Sequence, residues 1–527
     1  MKQSLLLAGL FLASTLGVQA QTRYVDEIFS DGDVVVQPDN IYGVNFSAYV
    51  PQSLGGPRVI PLYLDVYMPS PAVDTVTNRP VVIYFHTGSF LPKGLVSPMG
   101  ERTDSAAVEI CTRLAKRGYV AVSATYRLGW QPDNTSNLDL RRGSNLLAVY
   151  NAVQDAKNSV RYMRATNLQG NPFGIDPSQI MLMGQGSGGY ITFAYATIDN
   201  YGEVSNPTKF QYQGTTGIFG GTVSAGDPYV DTAVVGDWNG FGGKAVITGQ
   251  DSLGLPTIDF NAPGRNIENL PGIPDDVTCV INLGGALGDE AWLEPGDVPM
   301  LSVHNIYDFY APYDSGMVRV PVNNQFWDVV PVAGSYRAIR MANENFNNYV
   351  FQREAYSGSV EWQIARNHPG NPGGFSGIYP LAIEPADPNL PFAVNSNPWD
   401  FWDPSDPLGA NETNPNNKAQ SLAYIDTVMN FIIPGMKSVM DANDIGIEEA
   451  DVVNFNLYPN PTDGDFRVKG TDVIDEVHVF DLTGRVVATA SPASNDFEMS
   501  TESWAPGVYI VQVKSGALTG TTRLSVQ

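Results

Sequence analysis

The chain has 527 residues, a formal net charge of −25 and a sequence pI of about 4.4. A field of that sign repels nucleic acid and anionic membranes, and no basic patch offsets it, so nucleic-acid binding is excluded. Hydrophobic residues at 43% allow a sizeable core, and 52 glycines and 38 prolines imply many turns and long loops around it.

The chain begins "MKQSLLLAGLFLASTLGVQAQ". Lys2 supplies a charged end, and Leu5 to Leu16 form an apolar run too short to span a bilayer stably. Val18 and Ala20 fit the small-residue cleavage rule, which places the mature start at Gln21 and makes residues 1–20 an export signal.

The body then alternates. Val81 to Phe85 reads as a buried strand followed by a glycine turn. Val108, Cys111, Leu114 and Ala115 recur at helical spacing. "VAVSATYRL" is the next strand, "NLLAVYNAVQDAKNSVRYMRAT" a long amphipathic helix, and "QIMLMG" another strand. "GQGSGGYITF" continues as a tight turn into a helix. "VTCVINLGG", "VPMLSVHN" and "VEWQIA" are further strand candidates. A helix over "AQSLAYIDTVMNFI", with Leu422, Ile425, Val428, Met429 and Ile432 on one face, closes the body. Strands alternating with helices predict an α/β class: a doubly wound, mainly parallel sheet over residues 21–438.

Two stretches interrupt the alternation. Residues 201–276 are rich in Gly, Asp and Asn, and residues 370–416 in Pro and Asn. Both are read as insertions near the C-terminal strand edge, where such sheets bind ligands. Surface decoration and a lid or substrate wall both stay open.

An exported protein could pair Cys111 and Cys279, but one falls in a helical pattern and the other in a strand pattern, so two buried thiols acting as small hydrophobes are expected. No CxxC pair or His/Cys cluster occurs, and the Asp/Asn-rich loops, which could bind calcium, lack EF-hand spacing, so neither a metal nor a cofactor is expected. His86, His304, His368 and His478 are far apart in the sequence.

Residues 439–453 are acidic and lack a clear pattern, which suggests a linker. From residue 454 short alternating strands lie between turns, as in Val477 to Phe480 followed by "DLTG", predicting a small all-β sandwich over 454–527. The motifs "LYPNPTDGDF", "VFDLTGRVV" and "PGVYIVQV", with Arg523 and Val526 near the end, resemble the type A sorting domain of the type IX secretion system. The resemblance implies the type IX machinery as a partner. It also implies export through the outer membrane of a Gram-negative bacterium to a secreted or cell-surface location. An ordinary carbohydrate-binding sandwich is the bland alternative.

Over most of residues 60–435 the body resembles the carboxylesterase-like α/β-hydrolases. The carriers are "LDVYMP", "FHTGSF", "LAKRGYVAVSATYRLG", "FGIDPSQIMLMGQGSGGY" and "MLSVHNIYDFYAPYDSG". The resemblance implies a serine esterase acting on a small-molecule or polymeric ester. Asp308 would be the acid, His368 the base, and the amides of Gly88, Ser89 and Ser187 the oxyanion hole.

Such enzymes carry G-x-S-x-G at the nucleophile elbow, with small residues required two before and two after the nucleophile. Placing Gly184 and Gly188 at those positions puts Gly186 where the nucleophile belongs. Taking Ser187 as nucleophile puts Gln185 where glycine is needed, which is sterically worse. Glycine also adopts the strained elbow conformation with little penalty. Three readings follow. One is a binding protein on an esterase scaffold. Another is an esterase using Ser187, His368 and Asp308. The third is non-covalent chemistry by His368 and Asp308, unless these two are only turn residues. His86 is read as a brace of the oxyanion loop, His304 as a core-edge histidine and His478 as a strand residue.

Overall fold

Long runs that are apolar on both faces cannot be edge strands, and three such runs lie inside the central sheet of the computed structural model. The structure describes residues 22–444 and 455–527, apart from 51, 53–54, 94–98, 133–136, 323–324, 353–357, 385–396, 402–416, 482–484 and 517. The expected signal at 1–20 and most of the linker at 439–453 therefore lie outside the described residues, as does much of 370–416.

Eight strands form the main sheet: β1 (Val34–Ser47), β2 (Arg58–Pro69), β3 (Arg79–Phe85), β4 (Val120–Ala124), β5 (Ile175–Gln185), β6 (Cys279–Leu283), β7 (Met300–Asn305) and β8 (Ile378–Leu381). Their order is β1-β2-β4-β3-β5-β6-β7-β8. The contacts β1–β2 and β2–β4 are antiparallel, and all contacts from β4 to β8 are parallel. Every residue of β3, β4 and β6 is buried, as expected for strands covered by helices on both faces. The main helices are α1 (Ser105–Lys116), α2 (Leu138–Leu168), α3 (Ser187–Thr197), α4 (Ser335–Glu344), α5 (Val360–Asn367) and α6 (Lys418–Asp444).

Three local expectations change. First, "VEWQIA" is helical, within α5. Ser359 accepts a hydrogen bond from the Trp362 amide at the helix start, and Trp362 and Ala365 are buried one turn apart. The last strand is β8, within the stretch read as an insertion, so His368 precedes that strand. Second, α2 is not a simple amphipathic helix: its polar residues Gln154, Asp155 and Asn158 are buried along with its apolar ones. Gln154 Nε2 donates to the Val235 and Asp237 carbonyls, so the 201–276 segment covers what would have been a solvent face. Asp155 instead holds the buried Arg127 guanidinium at 2.8 Å. Third, residues 315–334 form an antiparallel hairpin, Ser315–Val322 with Gln325–Gly334, which the chain-order reading lacked.

Cys111 in α1 and Cys279 in β6 are both fully buried, free thiols. Burial raises the pKa of both above the usual thiol value.

Contacts divide the chain into residues 1–440 and 441–527. The second unit holds β9 (Phe455–Tyr458), β10 (Asp465–Ile474), β11 (Glu476–Phe480), β12 (Val486–Ala490), β13 (Ser494–Ser500), β14 (Gly507–Ser515) and β15 (Leu518–Val526). They pair as two antiparallel sheets, β9-β10-β13 and β12-β11-β14-β15. Phe466, Val468, Val477, Val479, Val511, Val513 and Leu524 alternate inward to form the core between them.

Candidate functional site

The turn from β5 to α3 is dictated by its glycines. A Cβ on Gly184 would overlap the Gly188 carbonyl, one on Gly188 the Phe85 carbonyl, and one on Gly189 the Asn282 side chain. These three positions admit no side chain, because strand, turn and helix pass too close together. Gly186 stands at the tip between them, with φ +53° and ψ −113°. A Cβ on Gly186 would meet only the side chain of Thr87, chiefly its Oγ1.

Ser187 begins α3 and is 4% exposed. Its Oγ lies 2.9 Å from the Tyr126 hydroxyl, which is itself 2.9 Å from the His86 carbonyl. A carbonyl only accepts, so Tyr126 gives its proton to His86 O, and the Ser187 proton is directed to Tyr126. Burial raises the Tyr126 phenol above its usual pKa, which keeps this chain neutral. The His86 ring stacks on Tyr126 with centroids 4.5 Å apart, and its Nδ1 lies 2.6 Å from the Thr87 carbonyl, so that nitrogen carries the proton. Burial lowers the His86 pKa to about 4. His86 thus ties the 86–90 loop to Tyr126. In that loop Gly88, Ser89 and Phe90 have φ of +120°, +56° and +58°.

Asp308 follows β7. Its Oδ1 accepts from the Tyr310 and Ala311 amides at 2.7 and 2.9 Å. Its Oδ2 lies 3.3 Å from His304 Nε2, but that nitrogen donates to the Ala311 carbonyl at 3.1 Å, the better-aligned acceptor. His304 Nδ1 faces Ser335 Oγ at 2.7 Å, and both residues are fully buried. His368 caps the end of α5, and its Nδ1 accepts from the Gly370 amide at 2.9 Å. Among the described residues it bonds neither Asp308 nor Ser187. Partial desolvation lowers its pKa.

Gly88, Ser89, Gly186, Ser187 and Asp308 come together around one cavity of about 220 Å³, and His368 is not among its lining residues. Sequence reasoning missed much of the wall. The hairpin contributes Val318, Arg319, Val320, Val330 and Val332, and α2 contributes Arg142, Asn145, Leu146 and Val149. The alternation Val318, Val320, Val322 was the available signal for the hairpin. From 201–276 come Lys209 and Phe210, and beyond β8 come Asn397 and Asp400. Asp400 Oδ1 accepts from Gln185 Nε2 at 2.6 Å, and Gln185 Oε1 accepts from Tyr84. The residue before the turn tip is therefore held from both sides. Among the described residues no cluster of three or more His, Cys, Asp or Glu side chains is arranged to hold a metal.

Residues 64–219 match the BD-FAE family model, and residues 456–527 match the secretion system C-terminal sorting domain model. No curated protein is significantly similar to the chain. Solved structures similar to it include esterase 2 of Thermogutta terrifontis phosphorylated by paraoxon, 16% identical, covering 54% of this chain and 75% of that one, with a TM-score of 0.27. The apo form of the same esterase is also 16% identical and covers 54% and 76%, again with a TM-score of 0.27.

Proposed function

We propose that this chain, a carboxylesterase-like α/β-hydrolase domain followed by a secretion sorting domain, binds a small ester-like or amphipathic ligand in the esterase cleft without forming an acyl-serine. The observation that carries this reading is Gly186. It stands between obligatory glycines, in a backbone conformation that costs another residue about 1–3 kcal/mol, and brings no attacking oxygen. Among the described residues the Ser187 and Gly188 amides at the start of α3 have no hydrogen-bond partner, whereas those of Gly189 and Tyr190 donate to the Gly186 carbonyl. The 88–89 loop borders the cavity, so amides able to polarise a bound carbonyl stand beside a turn tip that carries no hydroxyl.

The alternative that Ser187 attacks with help from His368 and Asp308 requires three rearrangements. Ser187 must leave Tyr126, Asp308 must turn from the Ala311 side, and His368 must enter the cavity. Non-covalent chemistry by His368 and Asp308 requires the same movement of His368. We assign export to the type IX machinery through residues 454–527, delivering the hydrolase domain outside the outer membrane.

Fluorophosphonate labelling and hydrolysis of a short-chain ester test the cleft. Wild type, Ser187→Ala and His368→Ala should all be unlabelled and inactive. Labelling abolished by Ser187→Ala would overturn the reading, and unlabelled hydrolysis that depends on His368 would favour non-covalent catalysis. Deletion of residues 456–527 should leave the protein in the periplasmic fraction, and export of the deleted form would overturn the sorting assignment.

A further inference from the structure

In an acidic chain, a cavity-lining guanidinium whose Nη groups meet no partner among the described residues says something about the ligand. Among the described residues three cations line the cavity: Arg142, Lys209 and Arg319. Lys209 Nζ lies 3.0 Å from Asp289 and donates to the Gly288 carbonyl at 2.7 Å, and Arg319 Nε lies 3.0 Å from Asp328. Arg142 differs. Its Nε donates to the Val329 carbonyl at 2.7 Å, which anchors the head against the hairpin. Its two Nη groups have no hydrogen-bond or carboxylate partner among the described residues. Arg142 is half-buried, and a partly desolvated charge without a counter-ion is unfavourable until one arrives. A planar fork anchored at Nε presents its Nη groups in the geometry that suits a carboxylate.

The rest of the wall describes the ligand's body. Leu146 and Val149 continue the Arg142 face of α2, and Phe210, Trp292, Val320 and Val330 line the same space. On the elbow side two buried polar atoms, Tyr190 Oη and Asn397 Oδ1, have no hydrogen-bond partner among the described residues. Native interiors rarely leave such atoms unpaired, so their place in this wall points to a bound molecule or ordered water completing them.

Building on the binding reading above, we infer that the cavity takes an apolar monocarboxylate, with its carboxylate on Arg142 and its body against the hairpin and α2. The small volume favours a compact aryl or medium-chain acid over a long lipid.

The test is calorimetric titration of full-length protein with octanoate and, separately, with octanol as the uncharged counterpart. Octanoate should bind more tightly than octanol to wild type. Arg142→Gln, which can still donate to the Val329 carbonyl, should weaken octanoate by roughly ten- to a hundredfold while leaving octanol unchanged. Unchanged octanol binding also shows that the variant cavity is intact. Equal binding of acid and alcohol to wild type, no binding of either, or octanoate binding indifferent to Arg142→Gln would each overturn the inference. Hydrolysis of methyl octanoate by wild type would overturn the non-catalytic reading alone, because the acid-versus-alcohol comparison is made on stable ligands.

Discussion

The Oγ1 of Thr87 occupies the space that a side chain on Gly186 would enter. The two residues sit on different elements, the loop after β3 and the turn after β5, and each is shaped to the other. Thr87 has the room because Gly186 has no Cβ. The space beside the turn tip is therefore taken by the Thr87 side chain.

Placing a serine at 186 alone should give no esterase for that reason. Gly186→Ser must adopt the strained turn conformation and displace Thr87, so a loss of roughly 1–3 kcal/mol in urea unfolding is expected. Ester turnover should stay at the wild-type level. Thr87→Gly should recover part of the lost stability in the double variant. Robust hydrolysis by Gly186→Ser would show that a competent base already faces the turn.

Ser187 and Tyr126 should behave as one hydrogen-bonded unit. Tyr126→Phe and Ser187→Ala are each expected to cost about 1–2 kcal/mol. The double variant should cost less than the sum by at least about 0.5 kcal/mol, the mark of a direct contact. Strict additivity in a double-mutant cycle would place Ser187 Oγ elsewhere in solution.

Asp308 and His368 should be independent of one another. Asp308→Ala removes the acceptor of two backbone amides and leaves His304 without its neighbouring carboxylate, a loss of roughly 2–4 kcal/mol. Combined with His368→Ala, the effects should add within about 0.5 kcal/mol. Coupling well above that in chemical denaturation would mean that the two pair in the folded protein.

Acid sensitivity should carry a contribution from His86. Its folded pKa, about 4, lies below the ordinary histidine value near 6.5, so the unfolded chain binds the proton more readily. The associated stability is present above about pH 6.5 and is lost as pH falls towards 4. His86→Phe, which keeps an aromatic ring beside Tyr126, should flatten the stability profile in that window. Asp297 acts in the opposite sense. Burial raises its carboxyl to about 7, so its contribution is full below about pH 3.8 and is lost as pH rises through 7. Asp297→Asn should therefore gain stability relative to wild type most clearly above pH 7. Each variant is compared with wild type across the full profile, and a difference curve of the wrong slope would reject the assignment.

The α/β class, the sheet-and-helix alternation and the C-terminal sandwich were all legible in the sequence, because periodicity and turn chemistry act over a few residues. The tight turn at 184–189 was legible for the same reason: glycines 184, 188 and 189 are required by contacts that any strand–turn–helix of that shape would make. Local signals failed where short elements compete. "VEWQIA" suits a strand by composition, but Ser359 caps it as a helix, and the four-residue β8 was hidden among prolines. They also failed for every relationship across the chain. The 201–276 segment over α2, the Asp308–His304 contact, the Gln185–Asp400 bond and the Thr87 hydroxyl in the space above Gly186 join residues that only packing brings together. The sequence by itself determined that a glycine stands at the tip of a strand–turn–helix framed by glycines 184, 188 and 189. Only the tertiary structure decided what lies beside Gly186, which partners Asp308 and Ser187 take, and that the Arg142 Nη groups meet no partner among the described residues, because these relationships join residues far apart in the chain.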